Sequence, residues 1–165
     1  MNLIASVSAN WGIGKDNELL FRIKKDLARF RTLTLGKTVV MGHNTFKSIK
    51  KPLDKRKNIV LTRNKALVIP GVTLCRSMLQ LRQILSGHVS ENVFVIGGET
   101  VYTQLLNDCA LAYITKVNAS PPADAFFPNL DELSDWRLTD ESETFVYRRT
   151  EYRYCLYENI WGTPQ

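Results

Sequence analysis

Only two histidines and three cysteines occur among the 165 residues. His43 and His88 lie far apart and show no ligand spacing, so neither a metal site nor a Ser-His-Asp triad is expected. Cys75, Cys109 and Cys155 are odd in number and form no CxxC pair, which argues against a disulfide framework and a zinc site. They fit small buried hydrophobes in a reducing cytoplasm. No apolar run approaches the roughly 20 residues that a membrane helix needs. The start, MNLIASVSANWGIG, has no basic leader and no long apolar segment; it is expected to be a strand entering a glycine loop, not a signal peptide. Repeats and low-complexity segments are also missing.

What is present is an ordinary globular composition, 44% hydrophobic and 23% charged, in a length that suits one domain spanning 1–165 with a real core. The formal net charge of +6 admits two partner classes, nucleic acid or a small polyanion such as a phosphorylated cofactor or a dicarboxylate. Short β-rich runs at 3–8, 38–41, 58–61, 72–74, 93–96 and 111–117 alternate with helix-like segments at 24–35, 45–49, 77–85 and 100–108. That alternation predicts an α/β fold with a mostly parallel sheet. After Asp131 the runs at 136–139, 144–148 and 152–158 read as strands joined by turns, hence an antiparallel C-terminal edge on a mixed sheet. Pro121 and Pro122 mark a loop rather than a domain linker.

Three strand-to-helix or strand-to-loop junctions carry anion-binding chemistry. In VFVIGGETVY, an apolar strand runs into Gly97 and Gly98 and then a helix; glycines there let the backbone approach a ligand. In VVMGHNTFKSI, Gly42 is followed by His43, Asn44 and Thr45, whose amides, hydroxyl and ring could receive an anion. In NIVLTRN, a strand ends in Thr62, Arg63 and Asn64, a set suited to a phosphate monoester. Each alone is commonplace and equally fits a tight turn. Three at strand carboxyl ends point to a dinucleotide lying across the sheet edge. Arg63, with no acidic residue for a ribose 2′-hydroxyl, favours NADP over NAD.

One carboxylate stands out in NELLFRIKKDLARF, where Asp26 has Arg22, Lys24, Lys25, Arg29 and Arg31 around it. On a helical wheel Asp26 shares a side with Phe30 and Leu33, with Leu27 at the margin, while Lys25, Arg29 and Arg31 fall mostly elsewhere. Two readings stay open. Asp26 is a first-turn aspartate favoured by the helix dipole, or a desolvated carboxylate poised to bind a ligand or handle a proton.

With these residues in view, the chain resembles dihydrofolate reductases over essentially its whole length. LIASVSANWGIGKDN, KKDLARFR, VVMGHNTFKSI, KPLDKRKNIVLTRN, VFVIGGETVY, YITKV, ADAFFP and YRYCLYE occur in family order. The resemblance implies an eight-stranded mixed sheet, four helices and a cleft between nicotinamide and pterin sites. It implies that Asp26 hydrogen-bonds the pterin and that Thr115 supports that carboxylate. Arg56 would clamp the α-carboxylate of the folate glutamate tail. Leu19, Leu27, Phe30 and Ile49 would wall the substrate, with Ile4, Ala5, Ile96 and Tyr102 flanking pterin or nicotinamide. Gly97 and Gly98 match the family's glycine pair, joined by a cis peptide, which is unusual away from proline. His43, Asn44, Thr45, Thr62 and Arg63 match contacts to the NADPH phosphates, and Ile13, Gly42, Leu61, Glu99, Thr100 and Val101 complete the implied cofactor site. The chain departs from the family where Leu20 and Phe21 replace Pro-Trp, where His43 replaces a common arginine, and where Lys24 opens the helix in place of proline or glutamate.

The activity so implied is NADPH-dependent reduction of 7,8-dihydrofolate to tetrahydrofolate, feeding one-carbon metabolism, by a cytoplasmic monomer that antifolates would inhibit. A pyrimidine reductase of riboflavin synthesis shares the fold and the NADPH chemistry, but Asp26 together with Arg56 favours folate. A nucleic-acid module is disfavoured because Lys51, Lys55, Arg56 and Lys57 form one cluster without interleaved aromatics. A third reading is a non-catalytic cofactor-binding relative.

Overall fold

The structure is a computed structural model that describes residues 1–161. Its central sheet runs β10-β12-β8-β1-β7-β4-β5-β6. β1 (Asn2–Val7), β4 (Thr38–Gly42), β5 (Lys57–Leu61), β6 (Thr73–Cys75), β7 (Val93–Gly97) and β8 (Leu111–Val117) are parallel to their neighbours within that group. β12 (Thr150–Asn159) joins β8 antiparallel and β10 (Trp136–Glu141) joins β12 antiparallel. The expected eight-stranded mixed sheet with an antiparallel C-terminal edge is thus present. A ninth strand, β11 (Phe145–Tyr147), pairs with β12 beside β10.

The parallel strands read as continuous apolar runs because both of their faces are covered. Successive side chains alternate between faces. Leu3, Val40, Ile59, Val95 and Ile114 face one side, where Leu81 of α3 (Met78–Leu85) and Val101, Tyr102 and Leu105 of α4 (Glu99–Leu105) pack. Ile4, Val39, Met41, Val60 and Phe94 face the other, against Phe30 and Leu33 of α1 (Lys24–Thr34) and Phe46 and Ile49 of α2 (His43–Ile49). Each fully buried Leu, Val or Ile contributes about 1.5–3 kcal/mol of transfer free energy to holding this sandwich together. Cys75, Cys109 and Cys155 are free and buried. Among the described residues no helix is long and apolar enough to cross a membrane.

The chain leaves β1 at the centre of the sheet, builds β4, β5 and β6 to one side, then returns to insert β7 between β1 and β4. A change of direction of this kind opens a crevice at the carboxyl ends of the strands. A second, three-stranded sheet closes over the crevice. It joins β2 (Gly12–Lys15), β3 (Glu18–Leu19) and β9 (Ala125–Phe126), where the sequence pattern predicts only loop. Asp16 N–H donates to Asp124 Oδ2 (2.8 Å) and Asp124 N–H to Gly14 O (3.0 Å), so this hairpin is tied to the segment before β9 even without the Pro-Trp that Leu20 and Phe21 replace.

Candidate active site

A cleft of about 1280 Å³ lies along the strand ends. β1 contributes Ile4 and Ala5; the hairpin contributes Ile13, Leu19 and, beyond it, Leu20 and Phe21. α1 contributes Asp26, Leu27 and Phe30, and α2 contributes Ile49 at its far end. The junction after β4 supplies Gly42, His43, Asn44 and Thr45, and the end of β5 supplies Leu61, Thr62 and Arg63. Ile96, Gly97, Gly98, Glu99, Thr100, Val101 and Tyr102 line it from β7 and α4. The three junctions singled out in sequence therefore share one cavity with the carboxylate of α1.

Asp26 occupies the first turn of α1, but it does not serve as the cap: Ile23 holds the cap position without a side-chain bond. Instead, the Thr115 hydroxyl donates to Asp26 Oδ1 at 2.5 Å, across 89 residues of chain. Burial raises the Asp26 pKa above its ordinary carboxylate value, and the Thr115 bond and the Arg29 charge pull it back down. The arrangement is a half-buried carboxylate facing an apolar cavity, with one oxygen fixed and the group open to a hydrogen-bonding ligand. Arg29 lies off the cleft that Asp26 lines, in keeping with the wheel, but it is not a solvated surface charge. Arg29 is half-buried, with its guanidinium over the Tyr154 ring, because β12 covers that flank of the helix.

Arg56, Thr115 and Asn64 are the three expected residues that do not line the cleft; the Asn64 side chain instead accepts from Ala66 N–H at 3.0 Å. Thr115 lies behind Asp26, fully buried on β8. Arg56 sits behind Phe30, its guanidinium 6.0 Å from that ring. Its Nη1 donates to Thr34 Oγ1 (3.1 Å) and its Nε to Asp54 O (2.9 Å). No carboxylate pairs with Arg56 among the described residues. The turn that carries it is pinned by buried Asn58, which accepts from Leu53 N–H and donates to Leu53 O and Arg56 O. Nothing in the spacing of the sequence marks Asn58.

At the other end, the Gly97–Gly98 peptide is cis, and Gly97 has φ of +123°, a region closed to other residues without strain. A Cβ on Gly98 would come within 3.3 Å of Thr45 Oγ1, and one on Gly97 within 3.4 Å of Thr45 and Tyr102. Tyr102 is itself fixed, its hydroxyl donating to Ile4 O at 2.7 Å. Burial drives its pKa far up, so it remains neutral. Neither α2 nor α4 has a side-chain cap at its N-terminus. Arg76, Ser77 and Met78 after β6 also line this end and escaped the sequence reading. Arg76 is committed to the fold, donating to Asn64 O and Leu67 O at 2.7 Å each.

A dihydrofolate reductase family model matches residues 1–159. The chain belongs to the dihydrofolate reductase family. It is 36% identical over 160 residues to the dihydrofolate reductase of Bacillus subtilis (strain 168), covering 96% of this chain and 94% of that protein. It is 35% identical to dihydrofolate reductase type 3 of Salmonella typhimurium, with 86% of each covered. The solved structure of dihydrofolate reductase from Enterococcus faecalis complexed with NADP(H) and RAB-propyl superposes with a TM-score of 0.85 at 28% identity, covering 95% of this chain and 94% of that one. The mixed sheet and the cleft described above are therefore those of a dihydrofolate reductase fold.

Proposed function

We propose that this chain reduces 7,8-dihydrofolate to 5,6,7,8-tetrahydrofolate with NADPH, and that Asp26 is the residue that receives the pterin. The observation that carries the assignment is the Asp26 carboxylate, half-buried and held by Thr115, on the wall of a cleft that also reaches Thr45 and Arg63. The donor set at the second end fits an anionic dinucleotide. The bare glycine backbone at 97–98 leaves room that a Cβ would fill, and Arg63 adds a cation at the end of β5.

NADPH, when bound, supplies the hydride that arrives at pterin C6. The remaining work belongs to the protein. Asp26 accepts hydrogen bonds from the pterin and favours its protonated, electrophilic form. Thr115 keeps the carboxylate oriented. Leu27, Phe30 and Ile49 hold the ring and its benzoyl extension and keep bulk water from them, while a single water delivers the N5 proton. Arg56, which pairs with no carboxylate among the described residues, clamps the glutamate carboxylate of the substrate. Antifolates that carry a pyrimidine or pteridine ring would bind through the same Asp26. The chain is proposed to act as a cytoplasmic monomer on these small anionic ligands, with no nucleic-acid or membrane partner.

The test is the loss of NADPH absorbance with and without dihydrofolate, followed by the same assay with a pyrimidine precursor of riboflavin. Dihydrofolate-dependent oxidation is the expected result. Oxidation only with the pyrimidine, or none at all, overturns the assignment.

A further inference from the structure

A second charge lies behind Asp26, off the cleft. Arg29 follows Asp26 by three residues on α1 and is half-buried, yet it does not line the cavity. Its guanidinium lies 4.3 Å from the centroid of the Tyr154 ring and 5.8 Å from that of Tyr113. Tyr154 on β12 is the direct register partner of Thr115, and Tyr113 precedes Thr115 by two residues on β8. All three side chains therefore rise from one face of the sheet, the face that α1 covers. Thr115 takes Asp26, and its two aromatic neighbours take Arg29.

Arginine in this place is costly unless something offsets its desolvation. Among the described residues no carboxylate is within ion-pair distance of it, Asp26 included. The ring faces offset part of the cost through cation–π attraction. Of the charges that oppose burial at Arg29, that of Asp26 acts most strongly. A guanidinium also stays charged at any working pH, so the position holds a permanent positive charge rather than a titrating one.

We propose that Arg29 is a positioning residue that, clamped on Tyr154 and Tyr113, keeps Asp26 ionised in the free enzyme and so sets the acid limit for productive binding of dihydrofolate. The inference rests on the role proposed for Asp26. The other groups facing this pair do not supply the charge. From β8 come the Thr115 hydroxyl and Tyr113; from β12 come Tyr154, Cys155 and, beside Tyr154, Tyr152. Burial pushes the Tyr154 hydroxyl up to about 12 and the Cys155 thiol up to about 11, so both are neutral where Asp26 titrates.

The experiment compares the pH profile of kcat/KM for dihydrofolate in the wild type, Arg29→Met and Arg29→Lys. Methionine keeps much of the stem and drops the charge. Its acid limb is expected to move to higher pH by on the order of one unit, so that the loss of activity grows as the pH falls, and lysine is expected to restore most of the shift. Arg29→Gln serves if Arg29→Met does not fold. In parallel, the Asp26 carboxyl resonance is titrated in the ligand-free protein, an assay independent of turnover. If the wild type lacks dihydrofolate-dependent activity, the proposed function fails while this titration still decides what Arg29 does to Asp26. An unmoved Asp26 titration, or an equal loss of kcat/KM at every pH, overturns the inference.

Discussion

The Thr115 hydroxyl and the Asp26 carboxylate meet at 2.5 Å although 89 residues separate them in the chain. The bond lowers the proton affinity that burial raises at Asp26. Thr115→Val keeps the shape of the buried side chain and removes the donor. The expected outcome is an acid limb of kcat/KM displaced to higher pH, read from a pH profile under substrate-limiting conditions. A limb that stays in place would show that Thr115 only packs.

Replacing the carboxylate itself should separate stability from activity. Burial raises the Asp26 pKa, so the folded chain binds this proton more tightly than the unfolded chain does. The stabilisation from this group is fully present below the unfolded value and is lost as the pH rises through the folded one. Asp26→Asn removes that loss. Its Tm should exceed the wild type's near neutral pH, and the gap should close in acid below the ordinary carboxylate range. Turnover of dihydrofolate near neutral pH should fall by about a hundredfold or more, with NADPH binding retained. Calorimetry across pH and single-turnover kinetics check the two halves; a variant that is less stable at neutral pH contradicts the first.

How much of this was legible in the sequence depends on the range of each interaction. Runs such as 38–41 and 93–96 announce buried strands because both faces of a parallel sheet are covered, and the four helices follow from their own periodicity. The β2-β3-β9 sheet was not legible, since strands of two to four residues built partly of glycine leave no periodic trace. The helical wheel brought Asp26 to the apolar side but could not show its hydrogen-bond partner, Thr115, which is on β8. The same limit hid what covers Arg29. A wheel records directions around one helix, and the tyrosines that bury Arg29 come from strands far along the chain. Asn58, which holds the turn under Arg56, is an ordinary polar residue until the fold closes around it.

Arg56 makes a distinct prediction because it stands away from the reacting end. Its Nε and Nη1 are tied to Asp54 O and Thr34 Oγ1, which fixes the guanidinium in place. A charge-assisted bond of this kind is worth about 1.5–3 kcal/mol, so Arg56→Ala should raise the KM for dihydrofolate roughly 10- to 100-fold. The kcat should change little, as expected when uniform binding is lost. A reduced pterin lacking the glutamate tail should not distinguish the variant from the wild type. If both substrates lose equally, the clamp is wrong and the effect is structural.

The proposed contact of Arg63 with the 2′-phosphate is tested by cofactor preference, and Arg76 provides the control. Arg63 is exposed at the end of β5, with no partner of its own among the described residues. Arg76 lines the same end, but its amino groups hold Asn64 O and Leu67 O and so brace the loop that follows Arg63. Arg63→Ala should raise the KM for NADPH by about tenfold or more, the worth of one charge-assisted contact to a 2′-phosphate, and leave the KM for NADH unchanged. Its Tm should match the wild type's, because an exposed, unpaired guanidinium contributes little to folding. Arg76→Ala should instead lower Tm, since two carbonyls lose their donor, and weaken both cofactors together as the loop relaxes. Steady-state kinetics with the two cofactors, set beside melting curves, separate these patterns. An Arg63→Ala enzyme that retains its preference for NADPH would move the 2′-phosphate contact elsewhere in the cleft.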